Sequence, residues 1–255
     1  GHKWCIKPNQ GALPWWVFAP SRRPPFVGLY DLFRAATLLR THQSNSVGDL
    51  QINEAESWDT FWSPIITAIM NTRPEASSAY LMRKTLTHAF FSKRGNLTPY
   101  VPKNTLGQTF IEPALETLNR YKAIVHFNQP LVKIVGSPVV RQLVFRTHVV
   151  PLGIDDAVVL AVPPWAPVVQ SFLPASFEPK PSPIVNAHYA VQPTSNHLSA
   201  RMLGVVNGRA HWIFARPHCV SATVSADYEL ARLSHIEIAH NLWQDAAKGL
   251  GLPSD

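Results

Sequence analysis

The sequence predicts a mixed fold of the α/β (α+β) class, in which helices flank a mixed sheet. Three observations predict it. Four helices are predicted between residues 26 and 121, the period of the apolar residues changes to two from Ala123, and residues 157–162, AVVLAV, are apolar throughout. A short continuous apolar run is typical of a strand buried on both faces of a parallel sheet. We therefore expect residues 157–162 to be a central strand.

The composition is that of a globular protein with a sizeable core. The 255 residues are 46% hydrophobic and 15% charged, enough for one large domain or two modest ones, and the 23 prolines predict many loops. The net charge of +7 comes from dispersed Lys and Arg without interleaved aromatics, which disfavours nucleic acid as a partner. An ordinary basic surface and an anionic membrane surface both remain compatible with it.

Several function classes lack their motifs. No GxGxxG or P-loop pattern could hold a phosphate, no GxSxG elbow marks a serine hydrolase, and His235 and His240 lack the HExxH spacing, so no metal site is predicted. The two cysteines, Cys5 and Cys219, lie far apart, which favours reduced thiols in a cytoplasmic protein. No apolar run approaches 18 residues, and the N-terminus has neither a signal-peptide pattern nor a Met.

The first predicted elements are a strand at residues 3–7, KWCIK, and a helix at residues 26–41. The polar residues of this helix form one narrow stripe through Asp31, Arg34 and Thr37. Most of its circumference is therefore expected to be hidden from water, either in the core or against lipid or an apolar ligand.

Three more helices are expected before the strands begin. They cover residues 57–70, 75–91 and 105–121. Pro74 breaks the chain between the first two, and Pro113 is expected to kink the third.

From Ala123 onward the predicted elements are mainly short strands. They cover residues 123–127, 131–135, 139–145, 157–162, 183–191 and 219–225, with a helix near 164–172 and a Pro-rich linker at 174–183. Asn207-Gly208 predicts a two-residue hairpin turn between RMLGVV and RAHWIF. A helix at residues 227–250, with Ile236 and Leu242 on its apolar stripe and Gly249 or Gly251 at its end, completes the chain.

Tryptophan is abundant. Seven of the eight tryptophans are Trp15, Trp16, Trp58, Trp62, Trp165, Trp212 and Trp243, more than packing alone commonly requires. Large aromatic side chains around an apolar cavity suit a hydrocarbon-like ligand, although each tryptophan taken singly is equally compatible with ordinary packing.

Six segments, in order, resemble one family. They are KWCIKPNQGALPWWVFAPSRRPP, SPIITAIMNTRPEASSAYL, DAVVLAVPPWAPVVQSFLP, PIVNAHYAV, GVVNGRAHWIFARP and SATVSADYELARL. Together they resemble the squalene-associated FAD-dependent desaturases, or hydroxysqualene dehydroxylases, of the flavin amine-oxidase superfamily. The resemblance covers essentially the whole chain.

The resemblance implies a domain organisation. Residues 1–122 would be the mostly helical part of a substrate domain, 123–172 strands of an FAD-binding domain, 173–226 the substrate-domain sheet, and 227–255 a C-terminal helix. The family's N-terminal GxGxxG segment and its C-terminal FAD segment have no counterpart in this sequence, so the chain is interpreted as an internal fragment that is inactive alone. The missing segments would supply the neighbours of the strand at 157–162.

The resemblance also implies a function and a set of residues. The expected reaction is reductive dehydroxylation of hydroxysqualene to squalene in hopanoid biosynthesis, with FAD as cofactor and an unidentified redox donor. FAD contacts are expected at Leu131, Val162 and Pro163. The substrate-binding residues expected around an apolar isoprenoid are Trp15, Trp16, Asn71, Trp165, Asn186, His188 and Trp212. Asn186 or His188 would hold the leaving hydroxyl, and no specific catalytic residue is assigned.

Other functions remain open from the residues alone. They are a non-catalytic isoprenoid-binding module, a basic peripheral protein on anionic membranes, and a carotenoid-type desaturase. The expected location is cytoplasmic, with a peripheral contact to the inner membrane.

Overall fold

A computed structural model describes most of the chain. The described residues are 5, 15–24, 26–41, 45–50, 52, 57–91, 100–102, 104–178, 180–192 and 202–254, without the side chains of 39 and 89–91. They form two compact units, Gly1–Pro99 with Ser182–Asp255, and Tyr100–Pro181. The mixed helix-and-sheet class is confirmed, and both sheets are antiparallel. The strand expected at residues 3–7 lies outside the described residues, except for Cys5.

The helices of the first unit follow the predicted order. They are a 3₁₀ turn Trp15–Phe18, α1 Leu29–Ala35 with its 3₁₀ continuation Ala36–Arg40, a π-helical turn Trp58–Trp62 leading into α2 Ser63–Met70, a 3₁₀ turn Pro74–Ala76, and α3 Ala79–Phe91. The predicted start of α3 at residue 75 is wrong, because the Ser78 hydroxyl accepts from the Leu81 N–H at 3.3 Å and begins the helix there. The helices share one buried cluster, formed by Val27, Leu38, Val47, Ile52, Trp62, Ile66, Ala79 and Met82.

Helix α1 departs from its predicted orientation at two residues. Asp31, which belongs to the predicted polar stripe, is buried at 4% exposure, whereas Phe33 is 79% exposed. The carboxylate is satisfied in the interior, since Asp31 Oδ2 accepts from Ser57 Oγ at 2.7 Å and from the Gly28 N–H at 3.1 Å. A buried partner for one polar residue has therefore outweighed the hydrophobic pattern of the helix.

The remainder of the first unit is a four-stranded antiparallel sheet with one covering helix. The strands are β4 Ile184–Ala190, β5 Met202–Gly204, β6 Trp212–Arg216 and β7 Cys219–Ser225, in the order β4-β7-β6-β5. One face of the sheet packs with helix α6, His235–Leu250, in a second buried cluster. Its fully buried members are Ala210, Ile213, Ala222, Leu230, Leu242 and Ala246.

The hairpin between β5 and β6 closes with a longer loop than predicted. The pairing ends at Gly204 and Trp212, so the predicted two-residue turn at Asn207-Gly208 is wrong. The loop rests on α6, where Asp245 Oδ2 accepts the N–H groups of Arg209 at 2.6 Å and Ala210 at 2.8 Å. A Cβ at Gly208 would lie 2.9 Å from both Asp245 carboxylate oxygens, so this glycine permits the close approach.

Helix α6 begins and ends on strong signals. Ser234 caps it in a reciprocal capping box with Glu237, so the helix begins eight residues after the predicted start at 227. Gly251, at φ 74°, ends it as predicted. The predicted burial of Ile236 is wrong: its side chain is 82% exposed, because six residues before Leu242 is about 240° around the helix from the buried stripe.

The second unit contains a helix, a small sheet and a long stretch without regular structure. Its elements are a π-helical turn Gly107–Ile111 leading into α4 Glu112–Arg120, the strands β1 Leu131–Val135, β2 Gln142–Phe145 and β3 Val149–Pro151, and the short helix α5 Pro167–Gln170. The strands pair in the order β1-β2-β3. Pro113, where a kink is predicted, is the second residue of α4, and the π turn ends two residues before it.

Two predicted strands of this unit are wrong. Residues 123–127 have no regular structure, and residues 157–162 pair with no strand of the described chain. Val159, at the middle of the expected buried strand, is 90% exposed. A run that is apolar on both faces forms a strand only where neighbouring strands and covering layers exist, and the described part of this unit supplies neither.

No helix among the described residues combines the length and the apolar character required to cross a bilayer.

Candidate functional site on the open face of the sheet

The face of the four-stranded sheet opposite α6 brings three of the predicted substrate-binding residues together. Asn186 pairs with Thr223, which pairs with Trp212 on the next strand. Two residues along β4, His188 pairs with Ser221. Residues two apart on a strand point to the same face, so these side chains form two parallel rows.

Each row contains a side-chain hydrogen bond between strands β4 and β7. Thr223 Oγ1 donates to Asn186 Oδ1 at 2.8 Å, and His188 Nδ1 lies 2.8 Å from Ser221 Oγ. The bond to Asn186 uses its carbonyl oxygen, so the amide NH₂ keeps its capacity to donate. When Ser221 donates to His188 Nδ1, the neutral ring carries its proton on Nε2, the atom farther from Ser221. Both rows can then offer an N–H donor on the exposed side of β4.

The polar rows adjoin an aromatic surface. Trp212 and Phe214 of β6 follow Thr223 and Ser221 in the same two rows. A Cβ at Gly204 would lie 3.2 Å from Trp212 Cζ3, so the absence of a side chain at Gly204 lets the indole lie against strand β5. An alcohol could thus donate to or accept from the polar side chains while its hydrocarbon part lies against aromatic rings.

The predicted substrate-binding tryptophans other than Trp212 do not belong to the strands of this sheet. Trp15 is 51% exposed, with the Arg22 guanidinium 4.8 Å from the ring centroid, and Trp16 is buried. Trp165 is 56% exposed and belongs to the second unit. Their roles in substrate binding stay predictions.

Asn71 connects the helical part of the first unit to the sheet. It ends α2 with φ 49°, its Nδ2 donates to Ser182 O at 3.0 Å, and its Oδ1 accepts from the Ala226 N–H at 2.9 Å. Ser182 precedes β4 and Ala226 follows β7, so the amide joins the paired ends of these two strands. Both ends of the side chain are used by the backbone, which is a structural role; a contact with substrate stays a prediction.

Sequence reasoning did not assign Ser221 and Thr223 to the site. The alternation of hydroxyl and apolar residues in SATVS is typical of a strand with one polar face. In the structure Ser221 and Thr223 are half-buried and Ala222 and Val224 are buried, as this pattern predicts, but Ser225 is also buried. The position of the two hydroxyl residues opposite His188 and Asn186 depends on the register between β4 and β7, which are separated by a long chain segment. A search for hydroxyl residues at alternate positions of a predicted strand, which would share one sheet face with Asn186 and His188, could have suggested the pairs.

His211 has a structural role at the edge of this site and gives the sheet a sensitivity to acid. Its Nδ1 accepts from the Ser225 N–H at 3.1 Å, which requires an unprotonated Nδ1. Burial lowers the pKa of His211 below its ordinary value of 6.5, and the nearby Asp227 opposes this only in part.

We expect the free energy of unfolding to fall as the pH drops below about 6.5. The folded state binds the His211 proton more weakly than the unfolded state, so lowering the pH favours unfolding. Urea titrations at pH 7.5 and 5.0 measure this loss. His211→Asn retains an acceptor near the position of Nδ1 without a proton to gain, and should reduce the difference between the two pH values. An equal difference in both proteins would contradict the assignment.

The predicted cofactor contacts lie in the second unit. Leu131 is the first residue of β1, an edge strand of its sheet, and the pairing with β2 is irregular between Leu131 and Lys133. Val162 is 41% exposed beside Pro163. A contact of these residues with the cofactor stays a prediction.

Comparison with known proteins identifies relatives over nearly the whole chain. The hydroxysqualene dehydroxylase of Zymomonas mobilis is 31% identical over 95% of this chain and 58% of its own length. The hydroxysqualene dehydroxylases of Sinorhizobium fredii and Rhodopseudomonas palustris are 29% and 28% identical, each over 99% of this chain and 60% of their own length. No protein-family model matches the chain, and no solved structure does.

The chain therefore spans about three fifths of the length of the curated relatives it matches. These three proteins confirm the family resemblance that was seen in six successive segments of the sequence. By its sequence, the chain is similar to the hydroxysqualene dehydroxylases over nearly its whole length.

Proposed function

We propose that this chain is the substrate-binding part of an FAD-dependent oxidoreductase that removes the hydroxyl group of hydroxysqualene to give squalene. The observation that carries the proposal is the similarity to three hydroxysqualene dehydroxylases over 95% to 99% of the chain. The open sheet face supports it, since hydrogen-bonding side chains stand there beside aromatic rings.

In this proposal residues 123–172, which lie within the second unit, belong to an FAD-binding domain. Within the described residues of that unit only Val169 is buried, and large apolar side chains are exposed in every part of it. Ile154 at 99% and Val159 at 90% are the most exposed. Apolar exposure on this scale is expected of a segment that is completed by other parts of a domain. About two fifths of the length of each relative lies outside the region that this chain matches. We assign the structure that would cover these apolar side chains to that part of the protein.

The proposed reaction replaces a C–O bond by a C–H bond. The carbon gains a hydride, and the hydroxyl leaves with one proton as water, so the substrate is reduced by two electrons. Reduced FAD, when bound, supplies the hydride, and a separate donor of two electrons must restore it. The Leu131 backbone and the Val162–Pro163 segment are the residues of this chain that would hold the cofactor.

The side chains of the sheet face have two tasks in this reaction. His188 Nε2–H and the Asn186 amide hydrogen-bond the hydroxyl. In its imidazolium form, with Nδ1–H donating to Ser221 Oγ, His188 can release the Nε2 proton to the hydroxyl as the C–O bond breaks, and the ring becomes neutral. Ser221 and Thr223 keep these two side chains in place through their 2.8 Å hydrogen bonds. Trp212 and Phe214 exclude water, and their π faces stabilise positive charge that develops on the carbon.

The test is product analysis with the protein encoded by the complete reading frame. Anaerobic incubation with hydroxysqualene, FAD and dithionite should give squalene and water, measured by gas chromatography with mass spectrometry. Products with additional double bonds, formed from an unhydroxylated polyene under oxidising conditions, would indicate a carotenoid-type desaturase instead. Binding of hydroxysqualene without turnover, and without a flavin spectrum, would indicate an isoprenoid-binding module.

A further inference from the structure

Helix α1 presents an apolar surface to solvent. The exposed fractions are 76% for Phe26, which precedes the helix, 49% for Leu29, 69% for Tyr30 and 79% for Phe33. Leu29, Tyr30 and Phe33 are spaced one and four residues apart, so they share one side of the helix. We call these four residues, with Arg34 and Arg40, the arginine–aromatic surface.

The orientation of this helix is fixed from the inside. Asp31 and Ser57 are both buried and share a 2.7 Å hydrogen bond. Rotating α1 to bury Phe33 would break that bond and bring Asp31 to the surface, leaving the Ser57 hydroxyl buried without this partner. The exposure of the aromatic side is therefore a built feature of the fold.

The charged side chains of residues 15–41 that are not buried are all positive. Residues 15–41 contain four arginines, at 22, 23, 34 and 40, and their only acidic residue is the buried Asp31. The Arg34 guanidinium lies 4.6 Å from the centroid of the Tyr30 ring, and its Nη2 donates to Tyr30 Oη at 3.2 Å. This arrangement holds a cation at the border of an apolar surface. Arginine binds phosphate groups in two-pronged geometry, and aromatic rings favour the level of lipid headgroups.

We propose that the arginine–aromatic surface binds the headgroup region of membranes that contain anionic phospholipid. Exposed aromatic side chains beside arginines, with no exposed acid in the segment, match the apolar and anionic layers of such an interface. A second copy of the chain fits less well, because a twofold contact would place arginines against arginines. A protein partner would have to supply acidic groups around an apolar centre.

This inference does not depend on the proposed reaction. If the substrate is an isoprenoid alcohol, the same contact would deliver it, since such molecules dissolve in bilayers and scarcely in water. Vesicle binding can be measured without turnover, so the two proposals can fail separately.

The experiment is co-sedimentation with large vesicles of phosphatidylcholine alone or with one quarter phosphatidylglycerol. Both this chain and the protein encoded by the complete reading frame should be used. We expect at least tenfold tighter binding to the anionic vesicles, and a loss of that preference in high salt. Phe33→Ser should weaken binding about tenfold, and Arg34→Gln with Arg40→Gln should weaken binding to anionic vesicles by about fivefold for each arginine.

Matched controls come from the same unit. Ile236→Ser removes an apolar side chain that is 82% exposed on α6, and Arg232→Gln removes an exposed arginine. Neither should change vesicle binding by more than twofold. Equal binding to both vesicle types, equal effects of Phe33→Ser and Ile236→Ser, or absence of binding by the complete protein would each overturn the proposal. Dimerisation that Phe33→Ser abolishes would also overturn it, in favour of a contact between copies.

Discussion

Replacing His188 by alanine in the protein encoded by the complete reading frame is expected to lower kcat about a hundredfold. His188 is the side chain on the open sheet face that can both hydrogen-bond a hydroxyl and release a proton to it. Its ring is exposed, and Nδ1 is held 2.8 Å from Ser221 Oγ. The free energy of unfolding should change by less than about 0.5 kcal/mol, since an exposed strand side chain contributes little to packing.

His218→Ala is the matched control for this prediction. His218 is an exposed histidine in the turn between β6 and β7 of the same sheet. Its replacement should leave kcat within twofold of the unmodified enzyme. If His188→Ala has no larger effect than His218→Ala, the proton must reach the leaving hydroxyl by another route. If Asn186→Ala is also without effect, the open sheet face is not the hydroxyl site.

Ser221 is a positioning residue in this scheme, and its effect should differ in kind. Ser221→Ala removes the partner of His188 Nδ1, so the ring is no longer held with Nε2 toward the substrate side. We expect a five- to tenfold lower kcat per folded molecule with KM changed by less than twofold, because a misoriented ring affects proton transfer more than substrate binding. A purely structural serine would lower the amount of folded enzyme without changing kcat per folded molecule. Ser221→Thr, which restores a hydroxyl, should recover most of the activity.

The sequence predicted elements well wherever local signals decide the structure. The alternation in SATVS and the terminal Gly251 of α6 act within a few residues, and both were located. The start of α6 was missed by eight residues, because the capping box at Ser234 and Glu237 was overlooked. The hydrophobic stripe of α1 was misjudged because one long-range hydrogen bond, from Ser57 to Asp31, determines which side faces inward. A periodicity argument cannot include a partner 26 residues away.

The candidate site shows the same limit. Asn186, His188 and Trp212 were named from a family resemblance, and the structure places them on one sheet face. Their hydroxyl partners required the register between β4 and β7, which no local signal encodes. The prediction of a strand at residues 157–162 was wrong for a different physical reason. An apolar run cannot specify which strands will pair with it.

Asn71→Ala is expected to lower the free energy of unfolding by about 3 kcal/mol. The change removes two hydrogen bonds to backbone, worth about 1 kcal/mol each. These join Asn71 to Ser182 O and to the Ala226 N–H at the paired ends of β4 and β7. It also places alanine at φ 49°, a left-handed conformation that costs about 1 kcal/mol without glycine or asparagine. Urea denaturation at neutral pH measures the sum.

Two further variants separate these contributions and decide between a structural role and a substrate contact for Asn71. Asn207→Ala replaces an exposed asparagine at φ 60° in the same unit, and should cost only the conformational part, about 1 kcal/mol. Asn71→Gly tolerates the left-handed backbone and should cost only the hydrogen bonds, about 2 kcal/mol. If Asn71 instead contacts the substrate, Asn71→Ala would be no less stable than Asn207→Ala, and its kcat/KM per folded molecule would fall. We expect instead that Asn71→Ala is less stable than Asn207→Ala and that its kcat/KM per folded molecule is unchanged. The reason is that both ends of the Asn71 amide already bind backbone groups that join the sheet to the helices.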